Sequence, residues 1–322
     1  MSLRQRAGRS VVAALGLLAL LSVAHVGNGQ QRPGTGAPPE PRPQEADERP
    51  LVVNSDLVTL TVTVTDGEGR HVTGLDRSAF AVYDNKEPQE ISFFGDADAP
   101  ASVAVVFDVS GSMSEGKIER AREALARFVE TSHPMDEFYL IGFNSSAQVL
   151  SERTRDADAV AAKLTYVEPR GNTALYDAVY LGLEKLTRGA HRRRVLLLIS
   201  DGEDNSSRYS FGEVRRSLEE SDVIIYGVGI GTVYSRASTG RETLEKLSAA
   251  SGGRAFFPGG GAEVSEAFER IALELRHQYL ISYKPSNLAG RGEWHRVKVK
   301  VTPPPGKRRV RVRSREGYYA GP

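Results

Sequence analysis

Residues 102–112 read SVAVVFDVSGS, and the run divides at Asp108. Before it stand almost only apolar residues, rich in valine, whose stiff branched side chain suits a strand. A continuous apolar run, as opposed to an alternating one, marks a strand covered on both faces. After Asp108 the chain turns polar at once, Val109-Ser110-Gly111-Ser112, so a loop begins at the carboxyl end of that strand. Beyond the loop Ile118, Ala121, Leu125, Phe128 and Val129 recur at helical spacing.

The same alternation continues downstream. Strand signals at 138–143, 195–200 and 223–230 interleave with helix signals at 159–164, 175–186, 211–218, 242–250 and 264–275. Strands alternating with helices predict an α/β domain over residues 100–276, with a doubly wound, mostly parallel sheet and helices on both faces. On either side of it the period changes to two. Upstream, residues 57–65 read LVTLTVTVT, aliphatic on one face and threonine on the other, and 80–84 and 90–94 read as shorter strands, which makes 51–99 a β unit. Downstream, 279–283, 294–301 and 309–313 alternate again within a second β unit, 277–322. A two- or three-stranded sheet is marginal alone. The two units are therefore expected to pair into one small all-β sandwich from which the α/β domain emerges as an insertion.

Composition limits what such a chain does. Its 322 residues suit about two domains, and 40% hydrophobic with 26% charged residues describes a folding chain. Lys plus Arg number 42 against 41 Asp plus Glu, so there is no broad basic field for nucleic acid, and none is expected as a partner. The absence of Cys removes disulfides, thiolate ligands, thiol catalysis and lipid attachment through an N-terminal Cys. Arg4, Arg6 and Arg9 precede the apolar run 11–24, and Ser22-Val23-Ala24 has the small-residue form of a cleavage site, so 1–29 reads as an export signal. That run is shorter than the ~20 residues a spanning helix needs. The mature chain is expected to be secreted or periplasmic, a monomer, and without a transmembrane segment. Residues 30–50, QQRPGTGAPPEPRPQEADERP, are too rich in Pro and too poor in apolar residues to pack, and read as a tether.

Asp108, Ser110 and Ser112 follow a buried strand directly, at the edge where open α/β sheets place their ligands. Asp201 follows the buried strand signal at 195–200 and should emerge on the same edge. Thr173 sits just before a helix signal, which presents its hydroxyl near a helix N-terminus. Two carboxylates and three hydroxyls are all hard oxygen donors, which favour Mg²⁺, or alternatively Mn²⁺ or Ca²⁺, over zinc or copper. An ion held mostly by neutral hydroxyls stays electron-poor and keeps water positions. The Asp or Glu carboxylate of a protein ligand can replace such a water.

These residues resemble those of the von Willebrand factor type A domain family, whose metal-ion-dependent adhesion site combines D-x-S-x-S, a Thr in a later loop and an Asp at a later strand end. Asp108, Ser110 and Ser112 stand in DVSGS, Thr173 in GNTALYDA and Asp201 in ISDGEDN. The resemblance covers roughly 102–275 and implies a doubly wound sheet with the metal site on top. The flanks, VTVTDGEGRHVTGLDRSAFAVYDNKEPQEISFF in front and QYLISYKP and VRSREGYY behind, are similar to those of a bacterial group that carries this domain.

Other readings of the same residues lead elsewhere. The ion could serve only to hold three loops together, with the partner bound at another place. Ser110 or Ser112 as a hydrolytic nucleophile needs a base, yet His71, His133, His191, His277 and His295 all lie outside the strand-end loops, and VSGSM lacks the G-x-S-x-G elbow. A nucleophilic Asp108 wants a second acid where Ser110 stands. No enzyme activity is expected. Glu203 and Asp204 read as solvated loop acids or as groups that tune affinity. Arg309, Arg311, Arg313 and Arg315 share one side of the last strand, a solvated face or an attraction for anionic polymer or lipid. Arg192, Arg193 and Arg194 read as edge solubility, and 234–240 as a mobile loop beside the site or a contact for the partner.

Overall fold

Near the start of the described part of the chain, residues 58–65 bury every aliphatic side chain and, apart from buried Thr63, leave their threonines half-buried. The computed structural model describes residues 57–95, 98–113, 116–165, 167–231, 239–286, 292–306 and 309–320. The export signal and the tether lie outside the described residues, as does the loop of 234–240 up to residue 238. No helix of the described residues is long and apolar enough to cross a membrane.

The first strands are β1 (Val58–Thr65), β2 (Phe80–Asp84), β3 (Glu87–Gln89) and β4 (Ile91–Gly95). The chain then runs through β5 (Ala101–Asp108), α1 (Lys117–Glu130), β6 (Glu137–Phe143), β7 (Ala147–Thr154), α2 (Ala157–Thr165), α3 (Leu175–Thr187) and β8 (Arg193–Ser200). Next come α4 (Phe211–Glu219), β9 (Ile224–Gly229), α5 (Thr239–Ala250), β10 (Arg254–Phe256) and α6 (Gly261–Arg276). It ends in β11 (Tyr279–Tyr283), β12 (Trp294–Val301), β13 (Arg311–Arg313) and β14 (Gly317–Tyr319).

The central sheet has the order β10-β9-β8-β5-β6-β7 and is parallel except for β7, which runs antiparallel to β6. Every residue of β5 is buried, and its side chains serve two cores in alternation. Val103, Val105 and Phe107 pack with Ile118 of α1 and Phe268 of α6, while Ala104 and Val106 pack with Val179 of α3 and Leu244 of α5. This two-sided cover is why the sequence shows a run in place of an alternation.

Two four-stranded antiparallel sheets flank the domain, ordered β13-β1-β11-β4 and β14-β12-β2-β3. Each mixes strands from before and after the α/β domain. Leu60, Val62, Tyr279 and Ile281 on one sheet meet Phe80, Val82, Val297 and Val299 on the other in a third core. The sandwich with an inserted doubly wound domain is the architecture that the patterning predicts.

Short and edge elements escape that patterning. β7 buries none of its residues fully and pairs β6 through two irregularities, so it shows no clean period. β3, β10 and β14 are three residues each. Two charge readings also need correction. Arg193 is no solubility residue: it is 2% exposed, and its guanidinium donates to the carbonyls of Ala99 (2.7 Å), Leu275 (2.9 Å) and Gln278 (3.0 Å). Nor is the late arginine stripe uniformly solvated. Arg309 and Arg311 are exposed, but Arg313 pairs with Glu274, and buried Arg315 donates to Ser221 O, Thr59 O and Asp222.

Candidate metal centre

Strand order places the site. From β5 the chain adds β6 and β7 on one side, then returns to add β8, β9 and β10 on the other. The order therefore reverses between β5 and β8, and a crevice opens there beyond the carboxyl ends of both strands. Asp108 ends β5, Ser200 ends β8, and Asp201 follows it directly.

The Asp108 carboxylate is 0% exposed and fixed through both oxygens. Oδ1 accepts the backbone N–H of Ser110 at 2.8 Å, a local turn that short acidic side chains favour. Oδ2 accepts the hydroxyl of Ser200 at 2.6 Å, and the Ser200 oxygen in turn accepts Gly202 N–H at 3.0 Å. The hydroxyls of Ser110 and Ser112 lie 3.0 Å apart, the first buried and the second exposed. Asp201 is half-buried, and its Oδ1 accepts Glu203 N–H at 3.3 Å.

Thr173 reaches this edge through backbone ties. Its N–H donates to Asn205 Oδ1 at 2.9 Å, and its carbonyl accepts the N–H of Asn205 (2.9 Å) and of Ser206 (3.1 Å). Gly111 N–H donates to Gly171 O at 3.0 Å, and Ala174 N–H to Asn144 O at 2.7 Å. The residue at the cap of α3 is Ala174, so the Thr173 hydroxyl is not spent on capping. Gly202, at φ +82°, is obligatory: a Cβ there would stand 2.1 Å from Gly240 O at the start of α5.

Burial pushes the Asp108 carboxyl up to about 6; the bonds from Ser110 and Ser200 oppose this, and the neighbouring charge of Asp201 adds to it. The groups that move it most include no cation. Two residues with carboxylates and three with hydroxyls therefore stand in loops on one edge of the sheet, and hard oxygen donors of this kind fit a hard divalent ion. Among the described residues no group of three or more His, Cys, Asp or Glu is placed to hold a metal, so no acid-rich cage competes with this edge.

Sequence reasoning missed the residues that brace the loops. Ser145 accepts Asn172 N–H at 3.0 Å through its hydroxyl and Ser206 Oγ at 3.3 Å through its carbonyl. Asp177 accepts the N–H groups of Arg208 (2.9 Å) and Tyr209 (3.1 Å). Asp204 accepts Tyr176 N–H and the Ser207 hydroxyl, so it is a loop brace, whereas Glu203 is exposed. The only signal was a cluster of Asn, Ser and Asp after strands, which reads equally as turn chemistry.

A family model described as von Willebrand factor type A domain matches residues 103–203, a span that includes Asp108, Ser110, Ser112, Thr173 and Asp201. Inter-alpha-trypsin inhibitor heavy chain H4 of Homo sapiens is 26% identical over 176 residues, 48% of this chain and 18% of that one. An uncharacterized protein of Synechocystis sp. is 22% identical over 183 residues, 55% of this chain and 42% of that one. The chain thus spans less than half the length of either relative. A solved structure of a von Willebrand factor type A protein from Catenulispora acidiphila aligns with a TM-score of 0.50 at 14% identity, over 82% of this chain and 74% of that one. At that identity the likeness is one of fold.

Proposed function

We propose, on the match of residues 103–203 to the von Willebrand factor type A domain model, that this protein is an exported binding module that holds Mg²⁺ on Asp108, Ser110, Ser112, Thr173 and Asp201 and grips a carboxylate of a partner protein. The observation that carries this reading is Asp108: a fully buried carboxylate at the switch point, aimed by Ser200 and the Ser110 amide, with no cation among the groups that set its charge.

Asp108 and Asp201 supply the negative charge, and Ser110, Ser112 and Thr173 supply neutral oxygens. A bound ion would supply an electron-poor coordination position at which an Asp or Glu side chain replaces water. The exposed Ser112 and half-buried Asp201 form the side open to a partner. Asn205, Asn144 and Gly171 hold the Thr173 loop in place without help. That bracing argues against an ion whose sole duty is to hold the loops together. Ser110 has no histidine among its hydrogen-bond partners in the described residues, so a nucleophilic serine gains no support.

Titration of Mg²⁺ and Mn²⁺ into chelator-treated protein, followed by calorimetry, tests the first half. Wild type is expected to bind one ion and Asp108→Ala none; a wild type that binds neither ion at millimolar concentration sinks the proposal. For the second half, partner capture from envelope extract should be lost in chelator and in Asp108→Ala alike.

A further inference from the structure

A second concavity, of about 830 Å³, lies between the sandwich and the α/β domain and shares no residue with the metal centre. Five guanidinium groups from four places in the chain line it: Arg70 in the turn after β1, Arg254 on β10, Arg270 on α6, and Arg311 and Arg313 on β13. Two carboxylates, Glu68 and Glu274, share the lining, and Asp66 and Glu266 pair with Arg70 and Arg270 from just outside it, which leaves an excess of one positive charge. The two lining carboxylates are already engaged, Glu68 with Arg70 at 2.8 Å and Glu274 with Arg313. Arg270 pairs with Glu266 at 3.5 Å. Arg254 and Arg311 are exposed and have no carboxylate partner among the described residues.

The imidazoles of His71 and His277 stack in the same cleft, centroids 5.4 Å apart and planes at 12°. His71 Nδ1 and Arg313 Nε are buried without a hydrogen-bond partner among the described residues. His71 registers the local field: burial, then the charges of His277, Arg313 and Arg254, hold its pKa below the usual histidine value. A cleft with unspent donors and surplus positive charge is built for an anion. A phosphate monoester carries about −1.5 to −2 charge and three strong acceptor oxygens, which match several guanidinium forks better than one carboxylate does. The volume exceeds a bare phosphate, and Phe256, Leu273 and Val312 offer apolar surface to the rest of an ester.

We propose that this cleft is a second binding site, for a ligand bearing a phosphate monoester, with Arg254 and Arg311 as its uncommitted guanidinium donors. It works independently of the metal centre, so the two sites fail separately.

The test is made on the full chain in chelator. Glycerol phosphate is titrated by calorimetry, and vesicles of phosphatidic acid are compared with vesicles of phosphatidylcholine by co-sedimentation, for wild type, Arg254→Gln/Arg311→Gln and Asp108→Ala. Wild type should bind saturably, Asp108→Ala equally well, and the double variant at least about tenfold more weakly, with an unchanged melting temperature. Binding of glycerol phosphate names a soluble ester as the source, and binding of phosphatidic acid vesicles alone names a lipid headgroup; either supports the site when the double variant loses it. Equal binding by wild type and the double variant, or no saturable binding of either probe, overturns the proposal. Loss of binding in Asp108→Ala overturns it too, because the ligand would then sit at the metal centre.

Discussion

At Asp108 burial opposes the charge that a cation site needs. Its carboxyl titrates near 6 in the folded chain, against a reference value of 3.8. The folded state thus holds a proton that the unfolded state has released, and stability falls as pH rises between about 4 and 6. The loss is on the order of 3 kcal/mol at neutral pH in the metal-free protein. Asp108→Asn removes the term, so at pH 7.5 in chelator it should melt above wild type, and the difference should vanish near pH 4. Mg²⁺ should raise the wild-type melting temperature at pH 7.5, where it replaces the proton, and leave Asp108→Asn unmoved. A wild-type melting temperature indifferent to Mg²⁺ at pH 7.5 would remove Asp108 from the ligand set. The positions of Asp108 and Asp201 at the ends of β5 and β8 were legible because position at a strand end follows from pattern. Arg193 was not, since its partners Ala99, Leu275 and Gln278 lie 82 to 94 residues away in sequence.

Among the elements, β8 bears weight at both ends. Ser200 at its carboxyl end orients Asp108, and Arg193 at its start binds the chain where it enters the α/β domain and where it leaves. Arg193→Met fills similar space but leaves three carbonyl acceptors without their donor. A buried orphan of this kind costs about 1–3 kcal/mol, so urea denaturation should show a loss of at least about 3 kcal/mol, with cation affinity at the far end of the strand retained. Loss of cation binding in a still-folded Arg193→Met protein would show that the two ends are coupled. Long strands and helices were readable because two-sided or one-sided burial writes a period into them. β7 and the three-residue β10 carry too few buried positions to write one.

On the scale of the whole molecule, neither β flank has a core of its own. β1 lies between β11 and β13, and β2 between β12 and β3, so each sheet needs strands from both flanks. Residues 57–95 made alone should give no cooperative melt, whereas 57–95 joined to 279–320 by a short turn in place of the α/β domain should give one. β4 and β11 are antiparallel neighbours, with Gly95 opposite Leu280. They are the two arms of a hairpin whose loop is an entire domain. Closing a floppy loop of roughly 180 residues costs about 3 kcal/mol more than closing a four-residue turn. Folding that loop first brings its ends within a strand's spacing and cancels most of the penalty. The α/β domain should therefore acquire amide protection in pulse-labelled refolding before β1, β4 and β11 do, and the sandwich should zip up last, around a clasp that is already shut.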